Sequence, residues 1–484
     1  MNVTSVPPRT RRRRTFAAAV TVLVLTAGIA VQATAASAAP PGGLHWGDCP
    51  GGAGTVGLEC AAIQVPVDWG APGGPALSLL LGRLPAYEPA EAEGTVLVNY
   101  GGPGGPAVGL MRSDPAPFAG LREHMDVVTW DLRGYTSATG AGPLCRQTQQ
   151  PLPDVPADQA DFDALAEHNR QVGAECRAAD PLLFDNMDSG SHARDLEAVR
   201  QALGDEPLNY LSASYGGIIG QTYASLFPER IRTMVLDGTW DHSTDPVTLS
   251  VDQARDTERQ LRRFFDWCRA DATCALHDAD VPEHWRKLVA RAGRNPIPAP
   301  AVGAVYDDIE LQTLGIRFAA AGRFAELGEA LASGLEGDAS GFAFDPARPY
   351  PAAPSPGMTE CLDFARPADY TALHTQMRKL ARVAPNTGAA STPLLQALSC
   401  VGWPTEVANP PTPWTADLPP MLGVGTWLEY YSTARVVSRA EGSGTIFHDG
   451  PGHSLYLAMK DSCTINHVDA YLTTTKLPPA PTTC

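Results

Sequence analysis

A chain of 484 residues, 44% of them hydrophobic and 18% charged, has the apolar material for a large core and the length of two or three domains. Its formal charge of −17 argues against nucleic acid or an anionic membrane as partner. The same charge favours ligands carrying a positive group, such as a free amino terminus, although the solubility needed by an exported protein also accounts for it.

The first element in chain order is a leader. Arg11 to Arg14 form a basic region, Phe16 to Val31 a short apolar run, and Ala36-Ser37-Ala38 an A-x-A cleavage site. The run contains Thr21, Thr26 and Gly28 and is short for a bilayer span, so residues 1–38 are expected to be a secretory signal, leaving the mature protein in the extracellular space. Arg13-Arg14-Thr15-Phe16 leaves a twin-arginine export route open. Removing this segment takes away five arginines and no acids, which moves the charge to −22. All ten cysteines lie beyond it, and an even number in an exported chain points to disulfides. Taken in order they pair as 49–60, 145–176, 268–274, 361–400 and 463–484, one connectivity among many. No C-x-x-C or H-E-x-x-H occurs, so neither a metal site nor a cofactor is expected.

From Cys49 to Pro85 two β segments are expected, Ile63 to Trp69 and Ala76 to Leu84. Thr95 to Tyr100 and Met125 to Trp130 are buried-strand patterns ending in Gly101-Gly102-Pro103-Gly104-Gly105-Pro106 and Asp131-Leu132-Arg133-Gly134. His192 to Leu203 has helical spacing and stops at Gly204. Leu208 to Ala213 is a strand, Ser214 the apex of a small-residue turn, and a helix follows to about Leu226; Arg232 to Leu236 is the next strand. Strands alternating with helices imply a doubly wound, mostly parallel α/β sheet, with its ligand crevice beyond the carboxyl ends of the strands. Residues 39–244 are read as the first part of this core. Residues 245–412 break the pattern with helical segments at Ser250 to Cys268 and Ile309 to Leu335, and are read as an inserted, mainly helical cap. Residues 413–484 return to the sheet with Met421 to Gly425, Thr445 to Phe447 and the helix Cys463 to Thr473.

A strand-to-helix elbow lifts its apical residue clear of the sheet, which makes Ser214 the candidate nucleophile. A serine hydroxyl attacks only when a base takes its proton, and His453, in the glycine-rich loop after the last strand, is the candidate base. Backbone N–H groups of Gly102 and Tyr215 are the candidate oxyanion hole.

Asn99-Tyr100-Gly101-Gly102-Pro103-Gly104-Gly105, Asp131-Leu132-Arg133-Gly134, Ser214-Tyr215-Gly216-Gly217 and Phe227-Pro228-Glu229-Arg230 occur together with Val235-Leu236-Asp237-Gly238, Cys400-Val401-Gly402-Trp403-Pro404 and the His453 loop. In this combination the chain resembles the secreted α/β-hydrolase exopeptidases related to proline iminopeptidase, in particular the tripeptidyl aminopeptidase branch. The resemblance runs over almost the whole mature chain and least clearly over the cap. It implies an α/β-hydrolase fold, a serine acyl-enzyme mechanism, peptide substrates with a free N-terminus, and amine-binding carboxylates on the cap. Asp252, Asp256, Glu258, Glu360 and Asp363 are the candidates for these.

The sequence departs from the family at three places. Ser212 replaces the elbow glycine, and Pro106 follows the glycine-rich loop where a small or hydroxyl residue is usual. Most consequentially, the family's triad acid lies in a G-x-x-D-P-x-T-P pattern, whereas this chain reads Gly425-Thr426-Trp427-Leu428-Glu429-Tyr430, with Leu428 in the acid's place. Glu429 is the expected acid, with Asp237 or Asp241 as alternatives. The expected activity is a secreted serine exopeptidase of tripeptidyl or single-residue type. An esterase or amidase of the same fold, or a hydrolase-fold binding protein without its acid, are the alternatives.

Overall fold

The computed structural model describes residues 44–52, 57–135, 155–204, 206–347, 349, 357–414 and 416–484. The expected leader at 1–38, and Cys145 with it, lie outside the described residues.

A ten-stranded sheet forms the centre. Its strands are β1 (Gly47–Asp48), β2 (Glu59–Pro66), β3 (Ala76–Leu84), β4 (Thr95–Asn99), β5 (Asp126–Trp130), β6 (Leu208–Ala213) and β7 (Ile231–Asp237). A separate two-stranded ribbon, β8 (Ile297–Ala299) with β9 (Ala304–Tyr306), follows, and the large sheet resumes with β10 (Leu422–Gly425), β11 (Gly444–Phe447) and β12 (Thr482–Thr483). The order is β1-β2-β3-β5-β4-β6-β7-β10-β11-β12, antiparallel from β1 to β5 and parallel from β5 onward. The β4, β6 and β7 strands are almost wholly buried, as the continuous apolar runs of a sheet covered on both faces require.

The helices are α1 (Ala107–Ser113), α2 (Gln159–Ala179), α3 (Pro181–Phe184), α4 (Ser189–Ala202) and α5 (Gly216–Leu226) before the insertion. Between β7 and β10 come α6 (Pro246–Ala270), α7 (Val281–Ala292), α8 (Asp308–Ala320), α9 (Phe324–Glu336), α10 (Met358–Asp363), α11 (Tyr370–Val383) and α12 (Thr392–Ser399). After β10 come α13 (Tyr430–Val437) and α14 (Ser462–Thr474). Residues 309–335, expected as one helical stretch, are two helices broken at Gly322, which sits at φ 69 and caps the first of them. The proline-containing stretch Asn295 to Pro300 between helices contributes a strand to the ribbon.

Two apolar clusters cover the two faces of the sheet. One contains Leu97, Trp130, Leu196, Tyr210, Ile219 and Leu236; the other contains Val98, Met111, Leu211, Val235, Ile446 and Tyr471. The helical insertion has a core of its own around Phe264, Trp285, Leu311, Phe318 and Leu327. Four disulfides, Cys49–Cys60, Cys268–Cys274, Cys361–Cys400 and Cys463–Cys484, join neighbouring cysteines in the expected order. Cys176 is also disulfide-bonded.

The register aligns the ends that matter. Asn99 pairs with Ser212, Ala213 with Asp237, Asp237 with Val424, and Gly425 with Phe447. Because these strands are parallel, the loops after β4, β6, β7, β10 and β11 all leave from one edge. The Asp131–Gly134 motif braces that edge. Asp131 Oδ1 accepts from Val108 N at 3.0 Å, and the buried Arg133 forks onto Asp195 at 2.5 and 2.7 Å while donating to the carbonyls of Pro66 and Val67. Pairing both ions removes the cost of an isolated buried charge.

Candidate active site

The turn after β6 is made by one residue in the left-handed region. Ser214 has φ 54, a conformation that costs a non-glycine residue on the order of 1 kcal/mol or more. Its N–H is held by Asp237 O at 2.8 Å across the end of β7. The neighbours are small because backbone lies against backbone. A Cβ on Gly101 would come within 2.4 Å of Ala213 O, and one on Gly217 within 2.4 Å of the Thr239 side chain. Ser212, which stands where the family's elbow has glycine, is accommodated with its hydroxyl donating to Val235 O at 3.0 Å within the sheet. Tyr215, directly after the apex, is anchored through its hydroxyl to Asp363 Oδ2 at 2.7 Å.

The loop after β4 returns toward the elbow. Asn99 Oδ1 accepts from Gly101 N at 2.9 Å and Gly101 O from Gly104 N at 3.1 Å, which folds Gly101–Gly104 into a tight arch. Pro106 serves as the residue capping α1 rather than disturbing this arch.

His453 and Glu429 meet from two different loops. The imidazole Nδ1–H donates to Glu429 Oε1 at 3.1 Å; the glutamate side chain is 2% exposed and that of the histidine 45%. Thr426 Oγ1 lies 3.1 Å from Glu429 Oε2 and 2.8 Å from Gly452 O, bridging the acid to the loop that carries the imidazole. Burial pulls the His453 pKa down, but the hydrogen bond and charge of Glu429, with Asp237 behind it, outweigh burial and leave it above the ordinary value. Asp237 is fully buried; burial pushes it up to about 7 against the Tyr456 N–H that its Oδ2 accepts at 2.8 Å. Asp241 faces elsewhere, binding Arg439 at 2.7 Å and Ser243 through N–H and hydroxyl. Of the three carboxylates weighed from the sequence, Glu429 is the one hydrogen-bonded to the imidazole among the described residues.

Ser214, Tyr215, Gly102, Glu429 and His453 all line one cavity of about 500 Å³, roofed by residues of the insertion including Gln253, Thr257, Arg317, Glu360 and Gln396. Among the five acids expected to recognise an amine, four are committed elsewhere. Asp252 binds Arg255 and Arg435, Asp256 binds Arg259, and Glu258 binds Arg262 and the Asn386 N–H and amide. Asp363 accepts from Ser189, Tyr215 and Asn409. Glu360 is different in that it lines the cavity: it is 7% exposed, forms no ion pair among the described residues, and its Oε2, like Asp256 Oδ2, is buried without a hydrogen-bond partner among them. Burial, reinforced by the charge of Asp363, raises it to about 8. Thr426 and Arg317 were not singled out from the sequence, since a lone threonine or arginine in a loop or helix carries no motif. Only the fold brings Thr426 against Glu429 and Arg317 to the cavity.

Residues 94–286 match the family model for the alpha/beta hydrolase fold and residues 387–484 the model for TAP-like protein. A tripeptidyl aminopeptidase of Streptomyces lividans is 28% identical over 481 residues, taking in 93% of this chain and 88% of the relative. The chain is thus similar to α/β-hydrolase peptidases over nearly its whole length. Carboxylesterase B of Mycobacterium tuberculosis is 28% identical over 468 residues, 88% of this chain and 86% of that protein. The serine protease Hip1 of Mycobacterium bovis is 28% identical over 227 residues, 46% of this chain and 43% of the relative. Together these similarities support a serine hydrolase.

Proposed function

We propose that this protein is an exported serine exopeptidase that releases short peptides, of tripeptidyl type, or single residues from free N-termini. The observation that carries this reading is the cavity itself. One enclosure holds the elbow serine, the glutamate-bound imidazole and, on the insertion, a buried carboxyl with an unpartnered oxygen. A substrate ammonium beside Glu360 supplies the missing partner, and its charge favours the ionised carboxylate that burial otherwise suppresses. The relatives' names support peptide substrates, and the disulfides are in keeping with an oxidising compartment. Among the described residues no helix is long and apolar enough to cross a membrane.

The chemistry follows from the arrangement. His453 takes the Ser214 proton as the hydroxyl attacks the scissile carbonyl, and Glu429 holds the imidazole in the tautomer with hydrogen on Nδ1 while stabilising the cation that forms. The N–H groups of Gly102 and Tyr215 stabilise the oxyanion. The imidazolium returns the proton to the departing amine, leaving an acyl-enzyme on Ser214, which water hydrolyses by the same route in reverse.

The experiment is a panel of peptide anilides with free and acetylated amino termini, set against short-chain esters, with fluorophosphonate labelling in parallel. Free-amine anilides should be cleaved far faster than acetylated ones, and Ser214→Ala should abolish labelling. Equal turnover of free and blocked substrates would defeat the exopeptidase reading and favour an esterase, as in the carboxylesterase relative. Labelling no higher than that of Ser214→Ala would defeat both.

A further inference from the structure

The cavity holds one charged side chain that this mechanism does not use. Arg317 lies on α8, on the same helix face as Thr313, Ile316 and Ala320, all of which line the cavity with Ser214 and His453. The residue is solvent-exposed, and its guanidinium lies 4.5 Å over the ring of Phe344. Stacking on an aromatic face fixes the plane of the guanidinium while leaving its in-plane N–H donors available.

The chain carries 53 acids against 36 Lys and Arg. Arg323, which shares the Phe344 ring, binds Glu326, and Arg259, Arg435 and Arg439 bind Asp256, Asp252 and Asp241, whereas Arg263, stacked on Trp427, forms no ion pair among the described residues. Arg317 forms no ion pair with an acid among the described residues. The cavity's acids are Glu360 and Glu429, and Glu429 is held by His453. One cavity therefore presents a carboxyl on α10 with one unpartnered oxygen and a guanidinium on α8 that forms no ion pair with an acid among the described residues.

We propose that Arg317 is a subsite for the C-terminal carboxylate of short peptide substrates. This rests on the exopeptidase reading and extends it. A peptide that places its ammonium at Glu360 has its acyl portion between that point and Ser214, so its free carboxylate lies at the far end of the leaving portion. A guanidinium fork accepts a carboxylate through two parallel N–H···O bonds, and prior stacking on Phe344 lowers the entropy lost on binding. A volume of about 500 Å³ with a charged anchor of each sign selects short, doubly free-ended peptides over chains with a blocked or distant C-terminus.

The test compares matched short peptides with free amino termini, one ending in a carboxylate and the other in an amide, on wild type, Arg317→Ala and Arg317→Lys. Released fragments are identified by mass. The ratio of kcat/KM for acid over amide is internal to each variant, so loss of folded protein cancels. Wild type should favour the acid about tenfold, the scale of one hydrogen-bonded charge pair in a partly desolvated site. Arg317→Ala should bring the ratio close to one, and Arg317→Lys should retain part of it. Where a peptide is not turned over, the same ratio is read from its protection of Ser214 against a fluorophosphonate probe. A wild-type ratio near one by either readout, or a ratio that survives in Arg317→Ala, overturns the assignment. Acetylated versions of both peptides separate the two readings. If they are cleaved as fast as the free amines, the exopeptidase reading falls while the acid-to-amide ratio still judges Arg317.

Discussion

Replacing Glu429 with glutamine keeps the side chain's size and removes the charge that the imidazole faces. A triad that loses its acid in this way falls by about 10⁴ in kcat, because the neutral partner no longer stabilises the imidazolium or fixes its tautomer. The pH dependence supplies a second signature. His453 acts as a base only when neutral, and Glu429 holds its pKa above the ordinary histidine value. The acid limb of kcat/KM in wild type is therefore expected above that value, with activity lost as pH falls through it. In Glu429→Gln burial acts with only Asp237 opposing it, so the limb should move to lower pH while kcat drops. An unchanged limb would mean that another group orients the imidazole. The sequence put Glu429 first although it stands one place from the family's position, with Asp237 or Asp241 as alternatives; the Oε1–Nδ1 contact supports Glu429.

At the scale of elements, two loops must keep a fixed relation for that contact to exist, and Trp427 spans them. Its indole N–H donates to Asp449 Oδ1 at 2.8 Å and its backbone N–H to Gly450 O at 3.2 Å, tying the loop after β10 to the loop after β11. Its ring stacks parallel on Phe324 of α9 at 6.3 Å, with the Arg263 guanidinium of α6 at 4.6 Å. Gly452 N donates to Ala320 O at the end of α8, so the insertion holds the histidine loop directly. Trp427→Ala should lower kcat by up to about 10²-fold with a smaller change in KM, the penalty for misplacing a reacting group by about an ångström. Trp427→Phe, which keeps the stack and loses the indole hydrogen bond, should recover part of it. Equal losses in both variants would locate the effect in the hydrogen bond alone.

Across the whole molecule, burial sets the response to pH. Burial raises Asp237, Asp363 and Asp469 to about 7 and Glu360 to about 8. The folded state thus binds protons that the unfolded chain has already released above its ordinary carboxyl range near 4. Where the native state binds more protons, stability falls as pH rises, so these four groups favour the fold at mildly acidic pH and lose that contribution between about pH 4 and pH 8. Thermal melts should give a higher Tm near pH 5 than near pH 8. Burial lowers His192 to about 3 and His242 to about 4, which works in the other direction below the ordinary histidine value, so the opposite order would show that the carboxyls do not dominate the balance.

Composition and local pattern were enough to read the α/β architecture, the elbow at Ser214 and the histidine loop, and to suggest, as one connectivity among many, the neighbour pairing that four disulfides show. Each rests on residues close together in the chain: an apolar run ending in small residues, a glycine-rich loop, neighbouring cysteines. The β8–β9 ribbon, the break at Gly322 and the short final strand β12 escaped such reading, because their segments are too short to carry a period. Which acid meets His453, which cap carboxyl is left unpartnered, and which arginine enters the cavity depend on side chains up to more than two hundred residues apart in the chain. Each acid's availability depends on whether a distant arginine, amide or hydroxyl has already claimed it, and only the packed tertiary structure decides that.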